Sequence, residues 1–106
     1  MINLKRAFEV ENGIKVGDMI IPDSVLEKTR SARPTYTGDF ITSMEYYNSL
    51  IQVNANRIAK SDFTYTNDFV STQINTYYET NGVTIHQVEN LVYVYSGDNL
   101  LRVEVT

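Results

Sequence analysis

Apolar and polar positions alternate along much of this chain. In "FVSTQINTYY", Val70, Thr72, Ile74, Thr76 and Tyr78 fall on one face, and Leu101, Val103 and Val105 share a face near the end. A period of two belongs to strands, whose successive side chains point to opposite faces, so one face packs and the other is wet. The runs Phe40 to Tyr47, Ile58 to Tyr65, Phe69 to Tyr78, Val83 to Tyr95 and Leu100 to Val105 are rich in Val, Ile, Thr, Tyr and Phe, the residues that suit a pleated sheet. The run "LVYVY", Leu91 to Tyr95, is apolar on both faces. That predicts a central strand covered on both sides, or a surface covered by a partner chain.

Between these runs stand pairs that suit two-residue hairpin turns, because Gly adopts positive φ freely and Asn tolerates it. The pairs are Gly38-Asp39, Asn67-Asp68, Asn81-Gly82 and Gly97-Asp98, with a fifth at Asn12-Gly13. Three of them sit inside a repeated phrase: "TYTGDF" at Thr35 to Phe40, "TYTNDF" at Thr64 to Phe69 and "VYSGDN" at Val94 to Asn99. The tyrosines Tyr36, Tyr65 and Tyr95 recur at spacings of 29 and 30 residues. Each copy reads as a hairpin corner in which Tyr ends the incoming strand, Gly or Asn takes the turn, and Asp caps a nearby backbone N–H. "EYY" at Glu45 to Tyr47 is echoed by "TYY" at Thr76 to Tyr78. A repeat of this length marks a supersecondary unit stacked on its own copies.

The first 34 residues read differently. "FEVENGIKVGDMII" predicts a hairpin about Asn12-Gly13, with Phe8 and Val10 before it and Ile14 and Val16 after it, ended by Pro22. "SVLEKTR" predicts a helical turn or two, with Ser24 and Glu27 spaced as a capping box. "RSARP", Arg30 to Pro34, reads as a linker, and Asn48 to Arg57 fits either a strand or a polar loop. The expected fold is mainly β: an antiparallel meander of roughly seven to nine strands forming a small sandwich or barrel. Residues 1–34 form an N-terminal hairpin or extended arm, and residues 35–106 the meander domain.

Composition narrows the function. A chain of 106 residues supports one modest core. The net charge of -4 is uneven: residues 1–34 carry six Lys and Arg against five Asp and Glu, and residues 35–106 carry three against eight. An acidic body repels phosphates and anionic membranes, which argues against nucleic acid as a partner. Cysteine is absent, so disulfides and thiolate metal sites are excluded. No apolar run reaches the roughly 20 residues that span a bilayer, and the N-terminus lacks the apolar core of a signal peptide, which predicts a soluble protein made in the cytoplasm with no membrane partner.

No catalytic signature emerges, and the expectation is a protein without enzymatic activity or cofactor. The single histidine, His86, lies mid-strand without a nucleophile or second ligand beside it in sequence, the setting of an ordinary surface residue. Asp39, Asp68 and Asp98 recur in register, but Asp is a common turn residue and no second acidic ligand keeps step with all three, so calcium is not expected. "NGIKVGD" lacks the spacing and following helix of a phosphate loop. Eight tyrosines are the most distinctive feature. Tyr buries much area while keeping a polar tip, which serves strand packing, subunit packing or stacking on sugars. One member of each adjacent pair, Tyr46-Tyr47 and Tyr77-Tyr78, is expected in the core and the other at a neighbour.

With "FEVENGIKVGDMII" followed by Tyr- and Thr-rich strands and the corners "YTGD" and "YSGDNL", the chain resembles small β-rich virion proteins of tailed bacteriophages, of the head decoration, neck, baseplate or fibre-attachment kind. The resemblance implies a non-enzymatic structural protein of the virion, homo-oligomeric and bound to other virion proteins, with an N-terminal arm that clasps a neighbour. Lys5, Arg6, Lys15, Lys28, Arg30 and Arg33 would then dock on an acidic body. The interface residues expected on this reading are Phe8, Val10, Ile14, Tyr47, Tyr78, Tyr93 and Tyr95. A carbohydrate- or receptor-binding module with exposed tyrosines, and a small acidic inhibitor of a host nucleic-acid-handling protein, are the alternatives.

Overall fold

Why the meander forms is visible in its turns. The computed structural model describes residues 4–6 and 20–106. In chain order these form β1 (Leu4–Arg6), β2 (Ile20–Pro22), α1 (Asp23–Lys28), β3 (Ser31–Thr37), β4 (Phe40–Tyr47), a 3-10 turn at Asn54–Asn56, β5 (Arg57–Thr66), β6 (Phe69–Tyr78), β7 (Ile85–Ser96) and β8 (Asn99–Val105). Strands β3 to β8 make one antiparallel sheet in sequence order, and β1 pairs with β2 in a separate ribbon. The protein is therefore mainly β and its sheet is a meander, as the strand pattern predicts. Phe8, Val10, Ile14 and the turn at Asn12-Gly13 lie outside the described residues.

Three corners are two-residue turns: Thr37 faces Phe40, Thr66 faces Phe69 and Ser96 faces Asn99. Gly38 (φ +61°) and Gly97 (φ +58°) hold positive φ at the first central position and the following Asp does not, the pattern of a type II′ turn. Asn67 (φ 51°) and Asp68 (φ 70°) are both positive, as type I′ requires.

Asn81-Gly82 behaves otherwise. β6 ends at Tyr78 and β7 begins at Ile85, not at Val83 as its composition suggests. The Asn81 side-chain oxygen accepts the N–H of Val83 (2.9 Å) and of Thr84 (2.8 Å), closing an Asx-type loop instead of a two-residue turn. Gly82 (φ +71°) is buried, and a Cβ added there would lie 1.5 Å from the Asn54 carbonyl oxygen. The glycine thus lets the loop between β6 and β7 pack against the 3-10 turn between β4 and β5.

The segment Arg30 to Pro34 is not a linker: Ser31 to Pro34 pair with Tyr47 to Met44 in β3, so the boundary expected at residue 34 falls inside a strand. Residues 48–56 form a loop with its short 3-10 turn, and Arg57 opens β5.

The core lies on one face of the sheet. Met44 and Tyr46, Ala59 and Phe63, and Leu91 and Tyr93 are buried, joined by Ile41, Val70 and by Val25 of α1. The face of β6 differs from simple alternation. Thr64 pairs with Thr72 and Tyr65 with Val70, so Ser71 is an extra, bulged residue. The bulge reverses the order of faces: after Val70 it is Gln73 and Asn75 that are buried, while Ile74 is 38% exposed. The same extra residue occurs at Thr42 in β4 and at Leu101 in β8.

Substituting Gly82→Ala forces a shift of backbone against backbone, and is expected to lower unfolding free energy by about 2–4 kcal/mol. Gly38→Ala, with open space around it, bears only the dihedral strain of about 1–2 kcal/mol. Urea denaturation of both variants beside the native chain checks the ranking.

Candidate functional site

The polar chemistry of the chain gathers in three places, and the tyrosines organise the first. Tyr65 Oη donates to the Ile41 carbonyl at 2.6 Å, and Tyr95 Oη donates to the Val70 carbonyl at 2.7 Å. Ile41 and Val70 are equivalent, each the partner of the repeat tyrosine of its own hairpin and each just before the bulge. The ladder between β4 and β5 ends at Ser43 and Asp62, and that between β6 and β7 at Thr72 and Val92. Beyond each ladder end the carbonyl takes the next hairpin's hydroxyl. The rings follow suit: Phe40 lies 4.7 Å from Tyr65 and Phe69 lies 5.3 Å from Tyr95, tilted by 45° and 47°. The repeat is therefore a clasp, in which each tyrosine grips the preceding hairpin. The turn aspartates Asp39, Asp68 and Asp98 make no such bond among the described residues; tyrosine carries the structural role that aspartate was expected to share.

The second feature is a buried polar row across the inner face. Met44, Ser61, Asn75 and Glu89 stand opposite one another on β4, β5, β6 and β7. Ser61 Oγ donates to Asn75 Oδ1 at 2.6 Å and shares a bond with the Tyr46 hydroxyl at 3.1 Å. Gln73 Nε2 donates to Asn75 Oδ1 at 2.8 Å, and Tyr93 Oη donates to Gln73 Oε1 at 2.6 Å. Glu89, 3% exposed, accepts from Tyr77 Oη at 3.0 Å and from Asn75 Nδ2 at 3.3 Å. Burial, and then the adjacent Glu89 carboxylate, raise the Tyr77 pKa. Tyr77 is thereby held as a donor.

The third is a charge cluster at the junction of the first two hairpins. Glu45 accepts Arg33 through one oxygen and Arg57 through the other, each at 2.8 Å. Burial works against the carboxylate, but the hydrogen bonds from Arg33 and Arg57 outweigh it and hold the Glu45 pKa below the usual range. Arg57 also donates to the Gly82 carbonyl at 3.0 Å and lies 4.1 Å from the Tyr78 ring centre. A cleft of about 540 Å³ opens beside it, lined by Lys28, Ile58, Tyr77, Tyr78, His86 and Gln87 among others. In that cleft His86 Nδ1 lies 3.2 Å from Glu79, both well exposed. Among the described residues no three of His, Cys, Asp and Glu come together as metal ligands, and no helix is long and apolar enough to cross a membrane.

The four tyrosines expected at an interface are taken up inside the chain. Tyr47 is fully buried and Tyr93 is 5% exposed. Tyr78 stacks with Arg57 and Tyr95 forms the second clasp. Of all eight tyrosines only Tyr36, at 58%, is exposed. Alternation predicts one outward tyrosine in each adjacent pair, and it holds: Tyr46 and Tyr77 face the core, while the extra residues of the two register shifts are Ile58 and His86 on the neighbouring strands, and the outward Tyr47 and Tyr78 are covered within the chain. The Tyr47 ring also lies under the Arg33 guanidinium at 5.5 Å. Arg33, expected in an arm that docks elsewhere, binds Glu45 of its own sheet. The chain matches no family model, no curated protein and no solved structure.

Removing a clasp hydroxyl leaves a carbonyl unsatisfied, so Tyr65→Phe and Tyr95→Phe are each expected to cost about 1–2 kcal/mol in chemical denaturation, whereas Tyr36→Phe costs close to none. Alkali probes the same groups. Burial pushes the Tyr46 and Tyr65 hydroxyls up to about 12, against about 10 for tyrosine in an unfolded chain. A raised folded pKa means that the stabilisation is complete below about pH 10 and is lost as pH climbs toward 12. Tyrosinate absorbance should therefore rise in that window together with loss of the near-ultraviolet dichroism. Ionisation of all eight tyrosines with dichroism intact would contradict the assignment.

Proposed function

We propose that the chain is a non-enzymatic structural protein of a tailed-phage virion, which assembles by binding neighbouring subunits. The observation that carries this reading is the outward face of β6 and β7. Ile74, Val88 and Val92 are 38%, 46% and 39% exposed, and Ile74 lies opposite Asn90, midway between the two valines. Three exposed apolar side chains that are diagonal neighbours around Asn90 form a cluster, and a cluster marks a protein contact more readily than a scatter of single residues does. Thr72 and Thr76 extend it. The virion setting rests on the resemblance of the "YTGD" and "YSGDNL" corners to those of small phage proteins.

Support also comes from where the tyrosines sit. The hydroxyls of Tyr46, Tyr65, Tyr77, Tyr93 and Tyr95 bond within the sheet, so much of the polar chemistry most visible in the sequence is structural. A sugar-binding module needs several rings on the surface, and seven of the eight are buried or half-buried. The proposed partners are other copies of the chain and other virion proteins.

A tagged chain produced in the infected host is expected to co-purify with the particles. Val88→Asp combined with Val92→Asp should abolish that recovery while far-ultraviolet dichroism stays unchanged. A native chain absent from purified particles would overturn the virion reading.

A further inference from the structure

The three hairpins, β3-β4, β5-β6 and β7-β8, are copies of one unit, and the contacts between them recur in register. At the first junction Ser43, Met44, Glu45 and Tyr46 face Asp62, Ser61, Lys60 and Ala59. At the second, Thr72, Gln73, Ile74 and Asn75 face Val92, Leu91, Asn90 and Glu89 in the same positions. Each unit therefore has a donor edge, the incoming strand with its clasp tyrosine, and an acceptor edge, the outgoing strand with a carbonyl beside the bulge. Among the described residues β3 is a donor edge with no strand beyond it, and β8 is an acceptor edge with none beyond it. Tyr36, the donor at the open end, is 58% exposed, and along β8 Leu101, Arg102, Glu104 and Val105 are exposed.

We infer that β8 of one copy pairs with β3 of the next, continuing the meander across the chain boundary through a third junction built like the two internal ones. Carrying the internal register over places Arg102 opposite the partner's Arg33, Val103 opposite the partner's Ala32, and Glu104 opposite the partner's Ser31. The partner's Tyr36 then lies beside Asn99, its hydroxyl directed at the Leu100 carbonyl. Unpaired edge strands are ready templates for such addition.

Three features of the two edges bear on this pairing. Pro34 has no N–H to offer, and it occupies the position of Phe63 and Tyr93, next to the last pair of each internal ladder, so the third ladder is one donor shorter at its turn end. Arg102 and Arg33 meet as like charges, yet each already binds a carboxylate on the same face, Glu104 and Glu45, both at 2.8 Å. Asn99 stands where Phe40 and Phe69 stand in the other units, so the ring contact of the clasp is missing. The third junction is accordingly weaker than the internal ones and reversible. Its two surfaces differ, so it propagates head to tail into a ring or an open array.

The inference extends the assembly reading by naming a second copy as one partner, and it is independent of the virion setting. It is tested on the full chain by light scattering over a range of concentration, beside Asn99→Phe, Tyr36→Ala and the double variant, with circular dichroism to confirm folding. Mass is expected to rise with concentration above the 12.1 kDa of the single chain. Asn99→Phe restores the ring contact and should lower the midpoint concentration about three- to tenfold. Tyr36→Ala should raise the midpoint and cancel that gain, because both residues act at one junction. A chain that stays monomeric and ignores Asn99→Phe overturns the inference. So does a gain from Asn99→Phe that survives Tyr36→Ala, which would show only a sticky surface. An oligomer indifferent to both substitutions overturns this junction while leaving the outward-face reading intact; absence from particles with the expected midpoint shifts does the reverse.

Discussion

The fold depends on how one hairpin is held to the next. A two-stranded hairpin is marginal in water on its own, because it has a face to bury and nothing to bury it against. Here the solution is a hydroxyl passed backwards along the chain, from Tyr65 to the Ile41 carbonyl and from Tyr95 to the Val70 carbonyl. Each such bond contributes about 1 kcal/mol and each ring contact about as much again, which is small beside the apolar area that the inner face removes from water. The clasp matters for specificity. A slip of one residue would turn every inner side chain outward, and a tyrosine that reaches its carbonyl in only one register penalises the slip at the point where the ladder ends.

Beneath the clasps the inner face is more polar than a core of this size needs to be. Ser61, Gln73, Asn75 and Glu89 would each be costly to bury alone. They are bonded into one network that runs from Tyr46 through Ser61 and Asn75 to Glu89 and Tyr77, with Tyr93 joined through Gln73. Apolar side chains would bury more cheaply but would tolerate displacement along the strand. Donors and acceptors at fixed heights on four strands do not, since a misregistered network leaves several groups unsatisfied. The clasp at the turn end and the polar row across the middle thus constrain the same variable.

Much of the architecture is legible in the residues. Gly38-Asp39, Asn67-Asp68 and Gly97-Asp98 mark two-residue turns, and the composition around them marks the strands. The repeat of Tyr36, Tyr65 and Tyr95 marks a unit that recurs in space. The inner face of β6 is not legible. Val70, Thr72 and Ile74 alternate cleanly, and only the bulge at Ser71, which has no local sequence signature, places Gln73 and Asn75 inside and Ile74 outside. Tyr46 and Tyr77 face the core and Tyr47 and Tyr78 the opposite side, as alternation predicts; what the sequence does not show is that Arg33 and Arg57, distant along the chain, lie over the outer two rings. Asn81-Gly82 has the composition of a tight turn, but its backbone is committed to the loop before β5, a contact distant in sequence. Glu45 with Arg33 and Arg57 is equally non-local.

The departures from the repeat are concentrated at its two ends. Internal junctions carry the full set of a paired ladder, a tyrosine hydroxyl on a carbonyl, and a ring on a phenylalanine. The terminal edges keep the tyrosine in Tyr36 and the carbonyl in Leu100 but replace the phenylalanine by Asn99 and shorten the available ladder. Contacts within the chain are also favoured by the loops that tether them, whereas contacts between chains must overcome the entropy of association. Both effects act in one direction, so the proposed joining of edges would be weaker than the junctions inside the chain and governed by concentration. Within the repeat the largest difference that bears on it is Asn99 in place of Phe40 and Phe69, added to the entropy of association.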